Sequence, residues 1–291
     1  MMKFGLLRED ENINKIKTVL ASIKELTLVE DIPHEQFDFK IDAIQISFSG
    51  IPSIALINNY LKNFKHVFLS NSHKLDFIDF QKIVKISEES NVRFYTDFES
   101  PASFIKQNIV NDLSGDIQLI EIKHKIQAIG LLTDTSFLKK QILCNIDIAL
   151  SVSKANVKKV SAYIWPLFNE ENAVVKINLE FDNNSVASIV ILNDSYDNLQ
   201  NIEMYTKSEI VSIVKNENVL NVTHSTNNST NTTFNKDVDD STYLKSNINS
   251  FLAALDGVLP GIIDIDNKYN AIRICNIVCS KLMCFNSNIF F

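Results

Sequence analysis

The first third of the chain alternates short apolar runs with stretches whose apolar residues recur every three or four positions. Residues 3–7 predict a strand, and over 13–26 the residues Ile13, Ile16, Leu20 and Ile23 fall on one face of a helix. Strands follow at 26–29 and 42–48. Pro52 suits the first turn of the next helix and Ser49 suits its cap. A helix over 53–63, a strand at 65–69, a helix over 76–90, a strand at 92–96 and a helix over 101–110 complete the series. Strands separated by helices of this length predict a parallel, doubly wound sheet.

The alternation stops near Gly115. Residues 116–125, 158–166, 173–181, 185–192 and 202–215 predict strands, with one long helix over 137–151 among them. An Asn/Ser/Thr-rich stretch at 223–233 predicts a mobile loop, and helices at 241–256 and 267–284 close the chain. The expected fold class is α/β. A Rossmann-like sheet domain spans 1–115, and an α+β domain with a large, mostly antiparallel sheet spans 116–291. Tyr163 and Trp165 share one face of a strand. That face belongs either to the core or to an exposed platform for a second copy; the platform is preferred, and with it a dimer or larger homo-oligomer is expected.

Composition narrows the function classes. A formal charge of −7 over 291 residues leaves no footprint for nucleic acid or an anionic membrane surface. No stretch has the length and hydropathy of a membrane span, and the N-terminus lacks a signal-like apolar segment. Cys275 and Cys279 are four apart in a helical pattern, with Cys144 and Cys284 elsewhere. Paired CxxC spacing is missing, so no zinc site is expected, and reduced thiols fit a cytoplasmic protein.

The segment from Asp42 (Asp-Ala-Ile-Gln-Ile-Ser-Phe-Ser) to His66-Val67-Phe68-Leu69-Ser70 resembles a "DAVxIATP…GKHVxxEKP" passage. Asn145-Ile146-Asp147 is similar to the end of a "DxGxHxxD" helix motif. Phe181-Asp-Asn-Asn-Ser-Val-Ala resembles an "FxNGxxA" hairpin, and the stretch from Ile248 to Gly257 an "FxxAIxxG" helix. In this order and spacing, they resemble the glucose–fructose oxidoreductase/inositol dehydrogenase (Gfo/Idh/MocA) family over nearly the whole chain. The resemblance implies a Rossmann domain that binds NAD(P), a sheet domain, and oxidation of a sugar or polyol.

The departures fall where that chemistry would occur. A dinucleotide turn needs glycines so that backbone can approach the pyrophosphate. Here the turn is Arg8-Glu9-Asp10-Glu11-Asn12. A carboxylate about 4 Å from a phosphate charge is repelled by roughly 4 kcal/mol at an effective dielectric of about 20. The family's lysine aligns with Asn71, and its helix aspartate and histidine align with Lys140 and Cys144, leaving Asp147 in place. An amide and an ordinary thiol are poor substitutes for a tuned proton donor. The equivalent cleft positions are Leu7, Ser47, Ser49, Ser70, Asn71 and His73. The family's usual helix and strand before Asp42 also have too little room. The expectation is a degenerate member without catalysis or bound cofactor, with a sugar-like small ligand as the class implied for the cleft. The alternative is an NAD(P)-dependent enzyme in which Lys140, Cys144 or His73 substitutes.

Overall fold

The computed structural model describes residues 2–7, 13–29, 32, 40–47, 53–70, 72–113, 115–127, 135–167, 172–193, 198–216, 219–226, 229–255 and 261–285. Its elements run β1 (Met2–Leu7), α1 (Ile13–Ala21), β2 (Leu26–Val29), β3 (Ala43–Ile46), α2 (Ile54–Lys62), β4 (His66–Leu69), α3 (Phe77–Glu89), β5 (Phe94–Thr96), α4 (Ala102–Asn108), β6 (Leu119–Lys125) and α5 (Thr135–Ser153). Strands β7 (Val157–Leu167), β8 (Asn172–Phe181), β9 (Val186–Leu192), β10 (Leu199–Tyr205), β11 (Glu209–Asn216), β12 (Val219–Thr226) and β13 (Thr230–Asp237) follow. Helices α6 (Asp240–Leu255) and α7 (Gly261–Phe285) close the chain.

Packing divides the chain into two compact units that differ from a linear boundary at 115. The first joins Met1–Glu99 to Asp240–Ile272, and the second joins Ser100–Asp239 to Arg273–Phe291. Thus α6 and the start of α7 belong with the N-terminal sheet. That sheet is parallel, in the order β2-β1-β3-β4-β5. Among the described residues it matches the doubly wound order without the outermost strand; most of the stretch between β2 and Asp42 lies outside the described residues. A Cβ added at Gly5 in β1 would meet the tip of the Ile32 side chain, which would have to turn aside. One face of the sheet is an aromatic core in which Phe251 of α6 packs edge-on against Phe4 and Phe68, while Phe68 stacks on Tyr95. Helix α2 is capped by Ser53, whose Oγ accepts from the Leu56 N–H; the proposed cap Ser49 lies outside the described residues.

The second unit carries an eight-stranded sheet, β13-β12-β11-β10-β6-β9-β8-β7, antiparallel except between β6 and β9. Strict alternation gives it two unlike faces. Ala187, Ile189 and Ile191 of β9 are fully buried on the α5 side, whereas Val186, Ser188, Val190 and Leu192 are half-buried on the other. Two sequence expectations are corrected. Residues 202–215 are not one strand, because Thr206 turns the chain by accepting the Ser208 and Glu209 N–H groups on its Oγ1. The polar stretch 223–233 is not a loop either: it lies mostly in the β12–β13 hairpin, for which threonine-rich sequence is suited despite its polarity.

Candidate functional site

In parallel sheets of this kind, ligands bind beyond the carboxyl ends of the strands. In the first unit these ends place Leu7, Ser47, Ser70 and His73 as the sequence suggested, while Ser49, Asn71 and residues 8–12 lie outside the described residues. Register aligns Gln45 with Phe68, so Ser47 and Ser70 belong to one row, which Asp97 continues beyond β5. The row is closed over. Ser47, Ser70, His73 and Asp97 are 3, 5, 7 and 2 % exposed. Gln45 Nε2 donates to Ser70 Oγ at 3.1 Å, and Ser72 Oγ donates to the Asp97 carbonyl at 3.2 Å. The Asp97 carboxylate accepts from the Glu99 N–H at 2.8 Å and from Asn247 Nδ2 of α6 at 2.9 Å. Lys268 of α7, itself buried, places its ammonium 4.7 Å from the centre of the Phe98 ring.

Asp97, Asn247 and Lys268 were not singled out from the sequence. Asp97 carried a weak signal as a carboxylate just past a strand. Asn247 and Lys268 carried none, because they reach this edge from helices some 150 positions away.

The helix positions form a second group, in the other unit. Lys140, Cys144 and Asp147 recur along one side of α5, as the motif spacing predicted. Lys140 is half-buried, and Cys144 and Asp147 are buried. The Cys144 carbonyl accepts from Ser100 Oγ. Beside them is a polar network missed by sequence reading. Asn145 Nδ2 lies 3.0 Å from His124 Nδ1 and also donates to the Gln141 carbonyl, and Gln200 Nε2 donates to Asn145 Oδ1 at 2.9 Å. With the amide as donor, His124 Nδ1 is the acceptor and the ring is neutral. Burial, followed by the nearby Lys215 charge, pushes the His124 pKa down to about 4.

The fold therefore favours the uncharged ring. This contribution is complete above the unfolded pKa of about 6.5 and is lost as pH falls to about 4. We expect His124 to account for up to about 3 kcal/mol of lost stability across that window. Denaturant unfolding at pH 7 and pH 4.5 should show a smaller pH-dependent loss for His124→Gln than for the parent. Equal losses would remove His124 as the cause.

Among the described residues, no group of three or more His, Cys, Asp or Glu side chains could hold a metal ion, and no helix is long and apolar enough to cross a membrane. No protein-family model matches the chain, and no curated protein matches it in sequence. Solved structures do match in fold. The dehydrogenase MviM from Clostridium difficile superposes with a TM-score of 0.78 at 16 % identity, covering 97 % of this chain and 99 % of its own. UDP-N-acetylglucosamine 3-dehydrogenase GnnA from Acidithiobacillus ferrooxidans gives 0.75 at 12 %, covering 98 % of both chains. Biliverdin reductase from Synechocystis sp., solved with biliverdin and NADP+, gives 0.68 at 13 %, covering 97 % and 99 %. The two-sheet fold implied by the sequence resemblance is the fold found.

Proposed function

We propose that this chain is a Gfo/Idh/MocA-fold protein that has lost dinucleotide-dependent hydride transfer and serves as a binding or assembly protein. One observation carries the reading: side chains of the chain itself, hydrogen-bonded and buried, occupy the strand ends where a dinucleotide would lie. Every described member of that row is already committed to an internal bond or to burial, so a cofactor would have to displace native contacts. The glycine-free, acid-rich turn at 8–12 adds an electrostatic obstacle. Together these features argue against NAD(P) as a ligand of this chain.

Fluorescence titration tests this directly. NADH and NADPH should show no saturable binding up to about 1 mM, the upper end of ordinary Michaelis constants. A micromolar dissociation constant for either would overturn the proposal.

The second reading, an NAD(P)-dependent oxidoreductase acting on a sugar or polyol, is favoured by the named activities of the fold's neighbours and by the alignment of Lys140, Cys144 and Asp147 on one helix. The two readings separate in one assay. Under the first, neither the parent nor Asn71→Lys turns over a polyol panel, since catalytic groups act as a unit. Under the second, the parent turns over and Cys144→Ala or Lys140→Ala abolishes it.

A further inference from the structure

A crevice opens in the second unit where the chain ahead of β6 meets the C-terminal end of α5 and the β8–β9 turn. Val110, Ile117 and Val152 are buried and form an apolar floor, flanked by the half-buried Leu113. Asp116, Lys154 and Asn183 are exposed and stand at the rim. A Cβ built at Gly115, which also lines the crevice, would meet nothing within 4 Å. The space available to a guest is about 120 Å³. An apolar cavity of about 150 Å³ holds one benzene ring, so this one suits about five or six heavy atoms below the rim.

The rim offers charges of both signs that are not spent on each other. Asp116 and Lys154 line one crevice, yet neither makes an ion pair among the described residues. Asn183 Oδ1 accepts from the Ser185 N–H at 3.0 Å and from its hydroxyl at 2.6 Å. The N–H bond fixes which end of the amide is oxygen, so Nδ2 is the donor left for a guest. The end of α5 adds to the negative side. A helix C-terminus carries partial negative charge, and the last turn of α5 holds no basic residue to offset it.

A guest with a single charge answers only half of this rim. A plain carboxylate finds the donors Lys154 and Asn183 but also faces Asp116. A plain amine finds Asp116 and the α5 end but also faces Lys154. A zwitterion answers both, and the floor accepts a short aliphatic side chain. We propose that this crevice binds a free α-amino acid with an aliphatic side chain of alanine to valine size. Its ammonium lies toward Asp116 and the end of α5, and its carboxylate toward Lys154 and Asn183. Binding is non-covalent and transfers no proton. The site is built wholly from the second unit and is independent of the strand-end reading above.

The test is a chemical-shift titration of the full-length, ¹⁵N-labelled protein. L-Valine or L-alanine should bind saturably with a dissociation constant of about 1 mM or below, moving the amide signals of Gly115, Asp116 and Lys154. Isobutylamine and isovalerate are valine without its carboxylate and without its ammonium, and each should bind at least about fivefold more weakly. Asp116→Asn and Lys154→Asn change exposed positions, and asparagine tolerates the left-handed backbone of Lys154. Each should weaken valine binding at least about fivefold. Leu113→Trp, which fills the crevice, should abolish it, and the two charge variants decide the matter should that protein misfold. The site is overturned by the absence of saturable shifts up to about 10 mM of either amino acid, tenfold above the expected constant. Equal binding of isobutylamine or isovalerate, or unchanged valine affinity in both charge variants, overturns it as well.

Discussion

Phe251→Ala is expected to destabilise the protein by about 3–5 kcal/mol, the usual cost of deleting a fully buried aromatic ring. Phe251 is 0 % exposed and stands 5.6–6.2 Å, centre to centre, from Phe68, Tyr95 and Phe4. Its removal opens a cavity among rings held rigidly by three parallel strands, which cannot collapse to fill it. Urea unfolding is the measurement, with Phe64→Ala as control, since Phe64 is 73 % exposed and should change stability by less than about 0.5 kcal/mol. A loss below about 1 kcal/mol for Phe251→Ala would mean that α6 is not seated in the first unit.

The second large effect concerns assembly. Trp165→Glu should convert a dimer or larger oligomer into monomer, as read by light scattering at tens of micromolar. Tyr163 and Trp165 are 41 and 48 % exposed and stack on each other with ring centres 5.6 Å apart. Their sheet neighbours Ala162 and Ile164 point the other way and are buried. Across the strands, Trp165 pairs with Val174, and Val174 with Leu192, so an apolar row continues on the same face. A wide apolar surface is uncommon on monomers, and homodimer interfaces are enriched in such cores. The face is not uniformly apolar, however. Toward its middle Glu121 lies directly opposite Glu203, and the Tyr205 hydroxyl sits between them, donating to Glu203 at 2.6 Å with Glu121 Oε2 3.3 Å away. We therefore centre the contact on the β7–β9 end. A sharp monomer peak for the parent would refute it.

Much of the fold was legible because two signals do not depend on tertiary context. Periodicity separated the helices from the strands, and the change near Gly115 separated the two sheets. What escaped has particular physical causes. Thr206 is as good a strand former as its neighbours, so the turn it makes was invisible until its hydroxyl was seen to accept two N–H groups. The polar β12–β13 hairpin resembles a loop because neither strand carries a long apolar run. At the candidate site, Ser47, Ser70 and His73 were legible through motif register. Asn247 and Lys268 were not, since nothing local links them to Asp97 or Phe98.

The first unit is built from two separated stretches of chain, and this sets an order of events during synthesis. Phe4, Phe68 and Tyr95 leave the ribosome with Met1–Glu99, but Phe251 belongs to Asp240–Ile272. The 140 residues from Ser100 to Asp239 must be made in between. At about 5–20 residues per second, that interval lasts on the order of ten seconds. For that time the nascent parallel sheet, whose strands are all made by Thr96, presents an aromatic face without its covering helix, while the strands of the eight-stranded sheet are still being made. Ribosome-bound chains ending before residue 240 should accordingly be the ones that engage general chaperones.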